Sequence, residues 1–197
     1  NNTQYYILTT AVKKNFEENM KNDIEKILIS EDEIQQKIKE LGAQISKDYK
    51  GRVPILISIL KGGVIFLVDL MHHISIPIEI EFLGVASYGS STKSSGIIKL
   101  TKDCNYDISN RDIILVEDII DTGLSIKYII NLLKNKNPKS IKTCVLLDKF
   151  KAHKPDIKID YKGFTVPNKF VVGYGLDYKE KYRNLPFIGI LKKEIYQ

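Results

Sequence analysis

The sequence predicts an open α/β domain, a mostly parallel twisted sheet flanked by helices. Three observations predict it. Apolar strand-like runs alternate with helically periodic segments along most of the 197 residues. The run Ile113-Ile114-Leu115-Val116 meets Glu117-Asp118 and then Asp121, after which Thr122-Gly123 opens a segment with Ile126, Ile129, Ile130 and Leu133 at helical spacing. A second apolar run, Val53 to Leu60, likewise passes through glycines, Lys61-Gly62-Gly63, into a helical pattern.

Composition narrows the class. Hydrophobic residues make 43% and charged residues 27% of the chain, the balance of a globular protein that can bury its own core. No apolar run reaches the roughly 18 residues that span a bilayer, and the richest, Ile55 to Met71, is broken by Lys61-Gly62-Gly63. Asn1 to Asn19 lacks a continuous apolar core, so no secretory leader is expected there, and the missing initiator Met fits a trimmed or engineered start. Cys104 and Cys144 are too few for a disulfide framework or a metal site, which points to a reducing cytoplasm. The formal charge of +6 comes from scattered lysines that attract anionic ligands. It is compatible with RNA, but no dense basic run carries interleaved aromatics, so neither a specific nucleic acid nor a membrane is an expected partner.

Asn1 to Asn22 reads as a polar extension, and Asp23 to Ile29 as a short strand. Ser30-Glu31-Asp32-Glu33 is close to a capping box, starting a helix with Ile34, Ile38, Leu41 and Ile45 on one face and ending near Asp48. Val53 to Leu60 is a buried strand, Val64 to His72 a helix, and Ile78 to Ser87 another strand. The small polar stretch Tyr88 to Gly96 reads as a mobile loop before a returning strand, Ile97 to Leu100. Tyr106 to Arg111 leads into the strand at Ile113, whose helix runs from Gly123 to about Asn135. The turn Asn137-Pro138-Lys139-Ser140 precedes the strand Ile141 to Leu147, with Asp148-Lys149-Phe150 at its carboxyl end. The tail is turn-rich and strand-like, Gly163 to Pro167 and Phe170 to Asp177, and reads as a small flap. Phe170 suits either base stacking or a core position. There is no internal repeat.

Ligands of open α/β sheets bind outside the carboxyl ends of the strands. A helix starting near Gly123 aims unpaired N–H groups at that crevice, and Thr122 and Ser125 add hydroxyls, a combination suited to phosphate. The neighbouring carboxylates would repel that phosphate, so they must face hydroxyls, a divalent cation or a proton to be abstracted. A sugar phosphate satisfies both halves. A dinucleotide oxidoreductase is disfavoured because no G-x-G-x-x-G follows a strand. A receiver-type phosphoacceptor is disfavoured by the carboxyl-terminal flap, and an RNA-binding regulator on the same scaffold stays open.

V-E-D-I-I-D-T-G, followed by Leu124 and the hydroxyl residue Ser125, resembles the phosphoribosyl-diphosphate (PRPP) motif of the hypoxanthine-guanine phosphoribosyltransferases. L-K-G-G resembles that family's pyrophosphate loop, which implies an often cis Leu60–Lys61 peptide. Ser87-Tyr88 matches the family's lid pair, Lys149 its purine-reading lysine, and F-V-V-G-Y-G-L-D-Y its purine-binding segment. Arg183 stands at its pyrophosphate-contacting position, and the match runs colinearly from about Asp23 to Tyr196. The one departure noted, Ser125 where Thr is common, keeps the hydroxyl. The short entry at Ile24 looks more like the bacterial members than the animal ones.

The resemblance implies a type I phosphoribosyltransferase fold, one domain over 23–197 with a lid at about 87–98 and a purine-binding hood at about 150–197. It implies transfer of ribosyl 5-phosphate from PRPP to N9 of hypoxanthine or guanine, with Mg²⁺ arriving on PRPP. By the same match, Glu117 and Asp118 take the ribose hydroxyls and, with Asp177, the metal. Thr122, Gly123, Leu124 and Ser125 cradle the 5-phosphate. Lys61, Gly62, Gly63 and Arg183 hold pyrophosphate. Asp121 is the general base at N7, and Lys149, Phe170, Val171 and Asp177 line the purine. The family assembles as homodimers or homotetramers.

Overall fold

The structure is a computed structural model that describes residues 20–87, 98–104, 107–150, 152 and 157–197. Most of the expected extension, Asn1 to Asn19, and the expected lid from Tyr88 to Ile97 lie outside the described residues. Two compact units are present: Gln35–Asn168, and Lys169–Gln197 together with the segment ending at Ile34.

The larger unit is built on a six-stranded sheet in the order β4-β3-β2-β5-β6-β7. Its strands are β2 (Ile55–Leu60), β3 (Glu79–Ser87), β4 (Ile98–Lys102), β5 (Asp112–Ile120), β6 (Ser140–Asp148) and β7 (Tyr161–Thr165). All neighbours run parallel except the edge strand β4, which pairs antiparallel with β3. Parallel strands covered on both faces read as unbroken apolar runs, and Ile113, Ile114, Leu115 and Val116 of β5 are all fully buried. Each such side chain contributes about 1.5–3 kcal/mol through removal from water. The helices are α1 (Glu31–Asp48), α2 (Gly63–His72) and α3 (Leu124–Lys134). Apolar α3 positions Ile126, Ile129 and Leu133 pack into the same core as Ile113, Leu115 and Val145.

The start of α1 follows its sequence signal. Ser30 N–H donates to Glu33 Oε2 at 2.8 Å and Glu33 N–H returns to Ser30 Oγ at 3.4 Å, a complete capping box. The Ser30 hydroxyl and N–H hold the Glu33 carboxyl below its ordinary range.

One boundary differs from expectation in a way that matters. β5 does not end where its acids begin but continues through Glu117 and Asp118 to Ile120. The register to β6 explains this: Glu117 pairs with Val145, Ile119 with Leu147 and Ile120 with Asp148, so the ladder outlasts the apolar run.

The smaller unit holds a three-stranded antiparallel sheet, β1 (Ile24–Ile29), β9 (Ile188–Leu191) and β8 (Val171–Val172), and a terminal turn of helix, α4 (Lys193–Tyr196). Val172, Tyr182, Leu185, Phe187 and Leu191 form its core. Gly173, with φ +99°, has no room for a side chain because a Cβ would lie 2.1 Å from the Phe187 carbonyl oxygen.

Candidate active site

In the larger unit, the crossover through α2 joins β2 to β3 on one side, while β5 leads through α3 to β6 on the other. The strand order therefore reverses between β2 and β5, and a crevice opens there beyond their carboxyl ends. Both sequence motifs arrive at this point, Lys61-Gly62-Gly63 from β2 and Glu117-Asp118 with Asp121 from β5. The Leu60–Lys61 peptide is cis.

The glycines are required by contact. A Cβ at Gly62 would lie 1.8 Å from Asp118 Oδ2, and one at Gly63 would lie 2.5 Å from Ser58 Oγ and 3.3 Å from the Val116 carbonyl oxygen. The first two separations are far inside van der Waals contact and the third is merely tight. The turn after β2 is thus laid directly against the acidic segment of β5. Asp118 is buried there, and its Oδ1 accepts from the Ile119 N–H at 2.8 Å.

Beside it is a cavity of about 230 Å³ lined by Glu117, Ile119, Ile120, Asp121, Thr122, Gly123, Ser125 and Ile126. Gly123 adopts φ +77° as the residue before α3, a left-handed turn that glycine makes without strain. Among the described residues no side chain caps α3. Its first N–H groups are therefore available to an anion in the cavity. Leu124 is exposed and Ser125 half-buried at the helix start.

Glu117 has the unusual environment. Its Oε2 is enclosed and has no hydrogen-bond partner among the described residues, although the residue as a whole is partly exposed. Burial, reinforced by the adjacent Asp118 charge, pushes its carboxyl well above the ordinary range. An unsatisfied buried carboxylate beside a second one is a place prepared for a cation or for hydroxyl donors.

At the end of β6, Lys149 is buried and its Nζ lies 2.7 Å from Oδ2 of half-exposed Asp121. The sequence nominated these two residues separately, and the fold makes them an ion pair. They meet because β5 and β6 are hydrogen-bonded neighbours, with Ile120 aligned to Asp148 and Lys149 N–H donating to the Ile120 carbonyl at 3.0 Å.

A profile described as the phosphoribosyl transferase domain matches residues 29–179. The chain is 52% identical over 178 residues to a hypoxanthine-guanine phosphoribosyltransferase of Bacillus subtilis, covering 90% of this chain and 99% of that one. The chain belongs to the hypoxanthine-guanine phosphoribosyltransferase family. Its counterpart from Streptococcus pneumoniae is 50% identical over 177 residues, covering 90% of this chain and 98% of that one. A crystal structure of a hypoxanthine phosphoribosyltransferase from Staphylococcus aureus superimposes with a TM-score of 0.86 at 44% identity, covering 90% of this chain and 97% of the other. The type I phosphoribosyltransferase fold expected from the sequence is therefore the fold of this chain.

For a phosphoribosyltransferase the donor set at β5 fits Mg²⁺. Among the described residues no cluster of three or more His, Cys, Asp or Glu would hold a metal unaided. Mg²⁺ keeps its waters and takes one or two carboxylates plus ligand oxygens, which is what Glu117 and Asp118 offer. In the smaller unit Asp177 is already engaged, its Oδ1 with Arg183 Nη2 at 2.8 Å and its Oδ2 with the Glu180 N–H at 2.9 Å. Arg183 Nη1 also donates to the Gly175 carbonyl at 2.7 Å. Phe170 is partly buried, stacked on Tyr196 with ring centroids 4.8 Å apart and edge-on to Tyr178 at 5.5 Å. Val171 is buried in β8. Ser87 closes β3, and its lid partner Tyr88 lies outside the described residues.

Sequence reasoning missed Glu180, whose Oε2 lies 3.3 Å from Arg183 Nη2. The spacing Asp177, Glu180, Arg183, acid and base at intervals of three, was the available signal.

Proposed function

We propose that this chain transfers the 5-phosphoribosyl group of PRPP to N9 of hypoxanthine or guanine, giving IMP or GMP and pyrophosphate, with Asp121 as general base and Lys149 as the purine reader. The observation that carries the assignment of roles is the Lys149–Asp121 pair. A 6-oxopurine presents, side by side on one edge, a carbonyl acceptor at C6 and, in its N7–H tautomer, a donor at N7. A buried ammonium 2.7 Å from a carboxylate is the complementary donor and acceptor. Lys149 donates to O6, and Asp121 accepts the N7 proton as N9 attacks the ribosyl carbon. Proton transfer of this kind is typically worth about 10² to 10⁴ in rate. Adenine carries an amino donor at C6, so Lys149 would face a second donor with no acceptor, and unpaired buried polar groups discriminate strongly.

Thr122, Gly123, Leu124 and Ser125, at the start of α3, cradle the 5-phosphate with backbone N–H and hydroxyl donors. Glu117 and Asp118 would accept from the ribose hydroxyls and would hold Mg²⁺. The metal, when bound, neutralises charge on the leaving pyrophosphate. Lys61, Gly62 and Gly63 offer pyrophosphate a cation and close backbone approach. In the smaller unit, which we assign as the hood, Arg183 is directed to pyrophosphate, and Phe170 and Val171 to the purine. Ser87 and Tyr88 belong to a lid that keeps water from the activated ribosyl carbon. We place the protein in a reducing cytoplasm as a homodimer or homotetramer. No helix among the described residues is long and apolar enough to cross a membrane.

The test is a product assay with the full chain, PRPP, Mg²⁺ and hypoxanthine, guanine, xanthine or adenine in turn. IMP and GMP formation with little AMP is the expected result. Comparable catalytic efficiency on adenine and hypoxanthine would remove Lys149 from its role.

A further inference from the structure

Arg183 is more heavily occupied than a simple ligand-binding arginine. Nη2 faces two carboxylates, Asp177 Oδ1 at 2.8 Å and Glu180 Oε2 at 3.3 Å, while Nη1 donates to the Gly175 carbonyl. Its Nε is enclosed and has no acceptor among the described residues. Nη2 has one N–H for each acid, so what leaves this guanidinium only partly satisfied is its Nε–H.

The backbone that supplies Glu180 is itself unusual. Tyr178 and Lys181 exchange N–H to carbonyl bonds at 3.2 and 3.0 Å, closing a two-residue loop over Lys179 and Glu180. Both loop residues are left-handed, φ +51° and +62°. Hairpin loops with two positive φ values favour Asn-Gly or Gly-Gly, because a Cβ makes this conformation costly. This chain places Lys and Glu there. The strained turn does two things at once: it aims the Glu180 N–H at Asp177 Oδ2, and it sets the Glu180 carboxylate on Arg183. Strained backbone persists where the surroundings hold it and concentrates at functional positions.

We propose that Glu180 is an internal stand-in for the anionic ligand of Arg183, a latch that occupies the outer face of the guanidinium and must yield when pyrophosphate binds. Asp177 and Glu180 differ in kind. Asp177 makes the shorter contact and is fixed by the turn's own N–H, so it is the positioning residue for Arg183. Glu180 makes the longer contact with a largely exposed carboxylate, so it is the displaceable one. Pyrophosphate would then receive the orphaned Nε–H and the Nη2–H that Glu180 vacates. Competition by Glu180 weakens pyrophosphate binding and so hastens product release. The inference rests on the assignment of Arg183 to pyrophosphate.

The experiment measures product inhibition by inorganic pyrophosphate, together with KM for PRPP and kcat, in the full chain and in Glu180→Gln, Arg183→Ala and the double variant. Glu180→Gln is expected to lower the inhibition constant of pyrophosphate roughly two- to fivefold, the range set by an exposed ion pair, and to lower KM for PRPP. Damage to the fold would weaken binding, so a tighter inhibition constant separates the latch from a structural role. Arg183→Ala is expected to loosen pyrophosphate and to abolish the effect of Glu180→Gln in the double variant. An unchanged or weaker affinity in Glu180→Gln beside a loosened Arg183→Ala overturns the latch and leaves the Arg183 assignment standing. Unchanged affinity in Arg183→Ala overturns both.

Discussion

Replacing Gly62 by alanine tests whether the turn after β2 and the acidic segment of β5 act as one object. Gly62 has right-handed torsions, φ −59° and ψ −44°, which alanine adopts freely, so the perturbation is a methyl group rather than a strained backbone. That methyl would lie 1.8 Å from Asp118 Oδ2 and 2.8 Å from its Cγ. Asp118 must rotate away, giving up the hydrogen bond from Ile119 N–H to its Oδ1. One such bond is worth about 1 kcal/mol, and an off-rotamer side chain costs about 0.5–1.5 kcal/mol. The sum, about 2 kcal/mol, lowers Tm by about 4–8 °C in a chain of this size. If Asp118 holds the ribose as proposed, the effect on PRPP should be larger still. A lost hydrogen bond to a charged group is worth about 1.5–3 kcal/mol, or a rise in KM of at least about tenfold. Thermal melts by circular dichroism and initial rates against PRPP are the assays. In Gly62→Ala/Asp118→Ala the collision is gone but the acceptor for Ile119 N–H is gone too, so about half of the melting loss, the part due to the forced rotamer, should return while PRPP stays weak. A Gly62→Ala protein that melts with the parent and keeps its KM refutes the close contact and the reasoning built on it.

Other variants probe separate parts. Asp121→Asn should lower turnover at least about tenfold while PRPP still binds, and wild-type turnover in single-turnover assays would exclude Asp121 as the base. Ser30→Ala, which removes half of the capping box, should cost about 1 kcal/mol in urea unfolding with no change in KM for either substrate. The Tyr182 phenol, buried and donating to Asp23 Oδ2 at 2.7 Å, is pushed up to about 12, first by burial and then by that hydrogen bond and charge. The folded state keeps this proton above pH ~10, where the unfolded chain releases it. Its contribution to stability is therefore intact below pH ~10 and is lost as pH rises toward about 12. Urea midpoints followed into alkali should fall less steeply in Tyr182→Phe than in the parent, and identical slopes would exclude Tyr182 as a source of the loss.

Local signals in the sequence were faithful where the physics is local. Ser30 and Glu33 announced their cap, and the spacing of Ile126, Ile129 and Leu133 announced the buried face of α3. The acids of β5 were legible as candidate site residues, but their place inside the strand was not, since the ladder continues only because β6 lies alongside. β9 was missed for a related reason: its partners β1 and β8 are remote in sequence, and a four-residue run, Ile188–Leu191, carries little period of its own. Gly62 and Gly63 read as turn residues, whereas their actual constraint comes from Asp118, Ser58 and Val116. The Lys149–Asp121 pair and the hold of Asp177 and Glu180 on Arg183 are contacts made by folding, and no pattern of residue types prescribes their distances.

The ion pair at the ends of β5 and β6 bears on the order of events in a catalytic cycle. Lys149 and Asp121 already satisfy one another's charge, so a purine entering between them relieves no unpaired charge. A base entering first merely swaps one set of partners for another, with little net gain. Hypoxanthine alone should therefore bind weakly, and adding PRPP should tighten it, a comparison that titration calorimetry makes directly.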